Sequence, residues 1–317
     1  MEEILSVRNL KKYFVSGGFT RNKDTVKAVD GISFSIRNRE TFVLAGESGS
    51  GKTTIARLIL RATEPDGGEI IFDGIPVTKD NLKIRRECQM IHQDPYASID
   101  PRMKVLDIIK EPLDIHGIGS SDERKKFVLD SLHEVRLEPA DEIATKNPHM
   151  LSGGQRQRVV IARAIVTKPK LVIADEPVSM LDVSVRSGIL ELMKELQQKL
   201  GISFLYITHD LSTARYIGHT IAIMYLGKIV EMGPINDVLF QPKHPYTQAL
   251  IDSVSEPNPK NLLDDKKIRI NDPLDVNVYE GCRFRARCPY AIEKCKKEPT
   301  LEELDNNRSV ACFVKIN

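Results

Sequence analysis

Eight residues constrain this chain more than any others. Gly46 to Thr53 reads GESGSGKT, with two glycines, a lysine and a hydroxyl residue at the spacing of a phosphate-binding loop. An apolar strand closed by glycine, ETFVLAG, precedes it, and KTTIARLILRA follows with apolar residues at helical spacing. Glycines let backbone N–H groups curl around phosphate oxygens that side chains would obstruct. The helix N-terminus adds partial positive charge, Lys52 reaches the terminal phosphates and Thr53 can ligate Mg²⁺. A glycine-rich surface turn is the plainer alternative, but the flanking strand and helix argue against it. The candidate nucleotide contacts are therefore Gly46, Glu47, Ser48, Gly49, Ser50, Gly51, Lys52, Thr53 and Thr54.

The rest of the chain suits an α/β protein. At roughly 100–200 residues per domain, 317 residues suggest two domains, or one large domain with an appendage. With 41% hydrophobic residues a sizeable core can form, and a formal net charge of +2 argues against a nucleic-acid-binding surface. No apolar run approaches the roughly 20 residues a bilayer span needs. MEEILSVRNLKKYF lacks the apolar stretch of a secretory signal, so a soluble, cytoplasmic protein is expected. ILSVRNL, VKAVDGISFSIRN and EIIFDGIPV read as strands. Residues from about 94 to 157 read as a helical insert, and IAIMYLGKIVEMG as a hairpin around Gly227. PKLVIADEP and ISFLYITHD are short, fully apolar strands of the kind found inside parallel sheets.

LVIADE places Asp175 and Glu176 at the end of one such strand, where doubly wound sheets bind ligands. Asp175 is a candidate Mg²⁺ partner, and Glu176 a candidate for orienting and deprotonating an attacking water. A solvated acid pair at a turn is the alternative. His209 ends another strand, and Gln93 follows an apolar run in MIHQDP; neither is distinctive alone.

Leu151 to Gln155 reads LSGGQ at the start of a basic, then apolar helix. Its serine and glycines can form a second phosphate-binding nest, or Ser152 can simply cap the helix. With the loop upstream and the acidic strand downstream, residues 1 to about 250 resemble the ATP-binding subunit of an ABC transporter. The resemblance implies a parallel-sheet ATPase core of RecA type, with an antiparallel β part and a helical subdomain at about 94–157. It implies that Tyr13, in LKKYF, stacks on adenine and that Gln93 senses Mg²⁺ and the membrane partner. By the same resemblance His209 contacts the γ-phosphate. Two such subunits bind head to tail in this family, so Ser152, Gly153, Gly154, Gln155 and Asp182 would contact the ATP held by the partner. Met180 in SMLD and Val178 in EPVS depart from the family's usual alanine and threonine; neither departure removes a catalytic group.

Four of the five cysteines close the chain: Cys282, Cys288, Cys295 and Cys312, spaced C-x5-C-x6-C-x16-C. Four thiolates in one segment can hold zinc or an iron–sulfur cluster. The tight knuckles usual for zinc are absent, and reducing conditions disfavour disulfides. Arg283, Arg285, Arg287, Lys294, Lys296 and Lys297 would offset cluster charge against Glu293, so a 4Fe-4S cluster is the favoured reading. Zinc, disulfides and no ligand remain open. Cys88 reads as a packed thiol. The segment 251–317 thus reads as a linker, SEPNPKNLLDDKKIRINDPL, and a metal-binding extension.

HPYTQAL, HQDPYASIDPRM and this tail are similar to the dipeptide/oligopeptide branch of importers, which includes nickel importers. That branch implies a second ATP-binding subunit, identical or not, and two transmembrane permeases. It also implies an extracytoplasmic solute-binding protein and a place at the cytoplasmic face of the membrane. DNA-maintenance ATPases also carry LSGGQ, but they insert a long coiled coil where this chain has no sustained heptads. Translation-associated relatives carry two cassettes, and this chain has one.

Overall fold

A computed structural model describes residues 2–15, 25–78, 82–253, 279–304 and 307–314. The linker reading falls outside these residues. Strands β1 (Glu3–Val15), β2 (Thr25–Arg37) and β3 (Thr41–Ala45) lead into helix α1 (Lys52–Ile59). There follow β4 (Gly67–Phe72), β5 (Ile75–Pro76), α2 (Leu82–Glu87) and β6 (Cys88–Ile91). Helices α3 (Val105–Ile115), α4 (Ser121–Glu134), α5 (Ala140–Thr145) and α6 (Gly153–Ile165) come next. Then β7 (Leu171–Asp175), α7 (Val183–Leu200), β8 (Ser203–Thr208), α8 (Leu211–Ile217) and the pair β9 (Thr220–Tyr225) and β10 (Lys228–Pro234). Short helices α9 (Ile235–Phe240) and α10 (Pro245–Asp252) precede β11 (Glu302–Leu304) and β12 (Arg308–Val310). Among the described residues no helix is long and apolar enough to cross a membrane.

The chain divides into two compact units. The first comprises Met1–Leu5, Ser35–Thr41 and Ile71–Ile207. In it β6, β7 and β8 run parallel, with Ile173 opposite Leu205 and Met90. Every residue of β7 is buried, because both faces of a parallel sheet are covered. That explains runs such as LVIAD without polar alternation. Helices α3, α4, α5 and α6 pack on one another through Ile108, Ile109, Leu113, Val128, Leu132 and Ile161. Arg163 of α6 ties to Glu111 of α3 at 2.6 Å.

The second unit comprises Ser6–Phe34, Phe42–Ile70 and Thr208–Asn317. Its sheet has the order β11-β12-β10-β9-β3. Strand β9 is parallel to β3, while β10 returns antiparallel to β9 through the turn at Leu226 and Gly227. The cysteine-bearing segment, read from sequence as an extension, joins this sheet: Val310 of β12 pairs with Glu231 of β10. The reason lies in a buried charge. Glu231 is fully buried, accepts from the Lys243 and His244 N–H groups at 2.8 and 2.9 Å, and meets Arg308 at 2.5 Å. A buried carboxylate needs such partners, and the tail supplies its cation.

Candidate functional site

The phosphate loop lies between β3 and α1. Gly46 and Gly51 have φ of +148° and +103°, which side-chain-bearing residues rarely adopt. A Cβ on Gly46 would stand 2.2 Å from the Met224 carbonyl oxygen, and one on Gly51 2.0 Å from that of Ala28. The loop is therefore pressed against backbone on one side, while Ser48 and Gly49 are exposed on the other. Buried Lys52 donates to the carbonyls of Gly46 at 2.7 Å and Glu47 at 2.9 Å, so its ammonium arches over the loop. Helix α1 begins at Gly51 with no side-chain cap, leaving its first-turn N–H groups to bind an anion. Thr53 is exposed and Thr54 half-buried in that first turn.

In the other unit Asp175 is buried at the end of β7, and Glu176 follows with a φ of +46°, a conformation uncommon for a residue with a side chain. Its N–H donates to Ile207 O at 2.9 Å, and its carbonyl accepts from the Ser179 hydroxyl at 3.0 Å. The Gln93 amide donates to the Glu176 carboxylate at 3.1 Å. Two residues 83 apart in sequence are thus brought into contact. In the unit of the phosphate loop, His209, exposed after β8, stands beside Asp210, whose carboxylate caps α8. Asp182 is exposed at the start of α7, where its side chain makes no cap.

LSGGQ is a helix start of another kind. Ser152 accepts from the Gln155 N–H at 3.3 Å, and Gln155 accepts from the Ser152 N–H at 2.9 Å, closing a capping box. Of the two readings of Ser152 made from sequence, the helix cap is the one observed, and the residue is exposed. Gly153 and Gly154 are half-buried, and a Cβ on Gly154 would come within 2.7 Å of the Val185 side chain on α7.

Tyr13 is half-buried near the end of β1. Its hydroxyl donates to Asp30 at 2.5 Å, and its N–H to Asp66 at 2.6 Å. Burial, then the bond to Asp30, pushes the phenol up to about 12. Burial alone would raise Asp30; the hydrogen bond from Tyr13 and the nearby Lys228 and Arg283 overcome it and hold the carboxyl below its ordinary value.

The cysteine segment brings residues the motifs did not signal. Arg283 is buried against Asp30, and Arg287 forms a forked pair with Glu47 at 3.0 and 3.3 Å. Tyr246 of HPYTQAL accepts the Glu47 N–H at 2.9 Å. Only a surplus of arginines in the tail hinted at these contacts, and two cations expected to offset thiolates are spent on acids elsewhere. Cys282, Cys288, Cys295 and Cys312 are all free. Burial, then the nearness of the other thiols, pushes Cys282 up to about 11; burial also raises Cys288 and Cys312. Among the described residues no group of three or more His, Cys, Asp or Glu is arranged to hold a metal ion.

Comparison with known proteins bears on these residues. The ABC transporter family profile matches residues 29–179, and that of the oligopeptide/dipeptide transporter C-terminal region matches residues 230–295. The chain is 43% identical to a putative oligopeptide transport ATP-binding protein, YkfD, of Bacillus subtilis, over 99% of this chain and 96% of the relative. It is 41% identical to a probable peptide ABC transporter ATP-binding protein of Sinorhizobium fredii, over 99% and 90%. Among solved structures, it is similar to a dimeric ATP-binding cassette in a post-hydrolysis state bound to ADP and Pi. That likeness has a TM-score of 0.64 and 30% identity over 73% of this chain and 98% of the other.

Proposed function

This chain belongs to the ABC transporter family of ATP-binding proteins, and from that premise we propose how its residues power the import of oligopeptides or dipeptides. The chain is an ATPase. One observation carries the assignment of the site: a glycine loop arched by Lys52 at a helix start that no side chain caps. The triphosphate lies on the Gly46–Gly51 N–H groups, with Lys52 toward its terminal phosphates and adenine against Tyr13.

By the family's pattern Mg²⁺ would take oxygen donors of the kinds that Thr53 of the loop, and separately Asp175 and Gln93, carry, and when bound it would neutralise phosphate charge. Glu176 orients the attacking water and accepts its proton, while Gln93 holds the carboxylate. His209 contacts the γ-phosphate. Ser152, Gly153, Gly154, Gln155 and Asp182 meet the ATP of a second ATP-binding subunit. ATP closes that pair and hydrolysis reopens it, driving two permeases from the cytoplasmic face of the membrane, with a solute-binding protein delivering peptide outside.

Replacing Glu176 with Gln tests this reading. MgATP binding is retained, phosphate release falls at least about a hundredfold, and a closed dimer accumulates on a sizing column. Undiminished turnover would remove Glu176 from the mechanism. Peptide-stimulated ATPase in the reconstituted transporter, with nickel as the contrasting solute, tests the cargo.

The four free cysteines offer the donor type of an iron–sulfur cluster, and we read 4Fe-4S as their ligand with zinc as the rival. Brown protein with thiolate-to-iron absorbance and four iron per chain supports it; colourless protein with stoichiometric zinc overturns it.

A further inference from the structure

The turn from Cys282 to Cys288 touches the two places where the nucleotide is proposed to sit. It is well built. Arg285 N–H donates to Cys282 O and Arg287 N–H to Phe284 O, both at 3.0 Å. Phe284 is buried among Tyr225, Tyr246 and His244, with ring centroids 5.3, 5.5 and 5.9 Å away. That apolar plug holds the two flanking arginines in fixed directions.

Arg287 reaches the phosphate loop. All three polar parts of Glu47 are held: its N–H by Tyr246, its carbonyl by Lys52 and its carboxylate by the Arg287 fork. Tyr225 also accepts from Arg287 at 3.3 Å. A carboxylate in a loop that receives a triphosphate repels it, and a bidentate guanidinium cancels that charge while fixing the loop. Arg283 reaches the other end. Its guanidinium pairs with Asp30 and donates to the carbonyls of Leu226 and Lys27, while Asp30 accepts the Tyr13 hydroxyl at 2.5 Å. Lys228 lies 3.5 Å from the same carboxylate. The Tyr13 ring is thereby oriented by an ion pair whose cation comes from the far end of the chain.

We propose that Arg287 and Arg283 are positioning residues for the nucleotide, Arg287 for the phosphate end through Glu47 and Arg283 for the base end through Asp30 and Tyr13. This rests on the reading that Gly46–Thr53 holds the triphosphate and Tyr13 meets adenine. The two arms separate by ligand, because inorganic tripolyphosphate has phosphates and no base.

The experiment measures Mg²⁺-dependent binding of ATP and of tripolyphosphate to the full chain by calorimetry. Arg287→Ala weakens both ligands by a similar factor, about tenfold for one charge-assisted contact, and Arg287→Lys recovers part of it. Arg283→Lys weakens ATP several-fold and leaves tripolyphosphate unchanged. Because Arg283 is buried, Tyr13→Phe, which removes only the hydroxyl, provides the same readout without disturbing the ion pair. Lys52→Ala is the control for the loop and Tyr13→Ala for the base. If Lys52→Ala binds both ligands normally, the loop reading fails. If it loses both while Arg287→Ala binds both like the unaltered chain, the Arg287 assignment fails alone. If Tyr13→Ala loses ATP while Tyr13→Phe and Arg283→Lys keep it, the Arg283 assignment fails alone.

Discussion

Two helix starts in this protein carry glycines and hydroxyls, yet they are finished differently. At α1, Gly51 sits in a left-handed conformation, no side chain caps the helix and Lys52 arches over the loop. At α6, Ser152 and Gln155 close a reciprocal capping box. The first leaves N–H groups to be satisfied by a ligand, whereas the second partly satisfies its own. An anion at α1 completes the helix; one at α6 competes with or adds to a cap already in place. That difference suits the proposed roles, a loop that holds ATP throughout and a surface that meets ATP only when a partner brings it.

The glycines differ in the same sense. The two of the loop are pressed on backbone, and Gly154 is pressed on a side chain. Backbone cannot move aside, whereas a valine can be shortened. A third helix start, at α10, uses neither device: buried His244 accepts the Tyr246 N–H at 3.0 Å as a neutral imidazole.

Replacing Lys52 with Ala bears on the contrast most strongly: phosphate release from ATP falls at least about a hundredfold, read in a turnover assay. Gly51→Ala comes next, losing about 3 kcal/mol or more of stability in chemical denaturation, and no neighbouring truncation restores it. Equal tolerance of alanine at Gly51 and Gly154 would erase the distinction between the two starts.

Acid is the third probe. Burial lowers the His244 imidazole from 6.5 to about 3, so the folded protein keeps it neutral while the unfolded chain binds a proton below 6.5. The stability it contributes is complete above pH 6.5 and is lost as pH falls toward 3, by about 1.4 kcal/mol for each unit. Melting temperature against pH should therefore flatten between 6.5 and 5 in His244→Asn, which keeps an acceptor without the titration.

Smaller effects follow at α6. Gly154→Ala costs about 1–2 kcal/mol, and Val185→Ala in the same chain recovers most of it, as a double-mutant cycle in urea will show. Ser152→Ala costs about 1 kcal/mol of cap energy and leaves ATP binding to the single chain unchanged, while turnover of the assembled pair declines. A loss of binding in the single chain would place LSGGQ in its own site instead.

Local elements were readable where a short stretch carries its own physics. GESGSGKT announces its loop because positive φ and close backbone approach admit only glycine at Gly46 and Gly51. LVIAD and SFLYIT announce buried strands because nothing polar interrupts them. LSGGQ signals its cap through Ser152 and a glutamine three residues on. The Gln93–Glu176 contact was not legible in the sequence: Glu176 was marked by its place at a strand end and Gln93 only by resemblance, and nothing local joins the two.

Asp30, Arg283 and Arg287 had no such signal. Their contacts span 253 residues from Asp30 to Arg283 and 240 from Glu47 to Arg287. The cysteines show the converse, for their count and spacing suggested a ligand set, while among the described residues no group of three or more such side chains is arranged to hold a metal ion. The sequence by itself determined the phosphate loop, the acidic strand and the family, because each rests on local backbone and side-chain chemistry. Only the tertiary structure decided that the tail extends the sheet and that its arginines hold Glu47 and Asp30. A buried carboxylate takes its cation from whichever segment the fold delivers, and spacing along the chain does not record that choice.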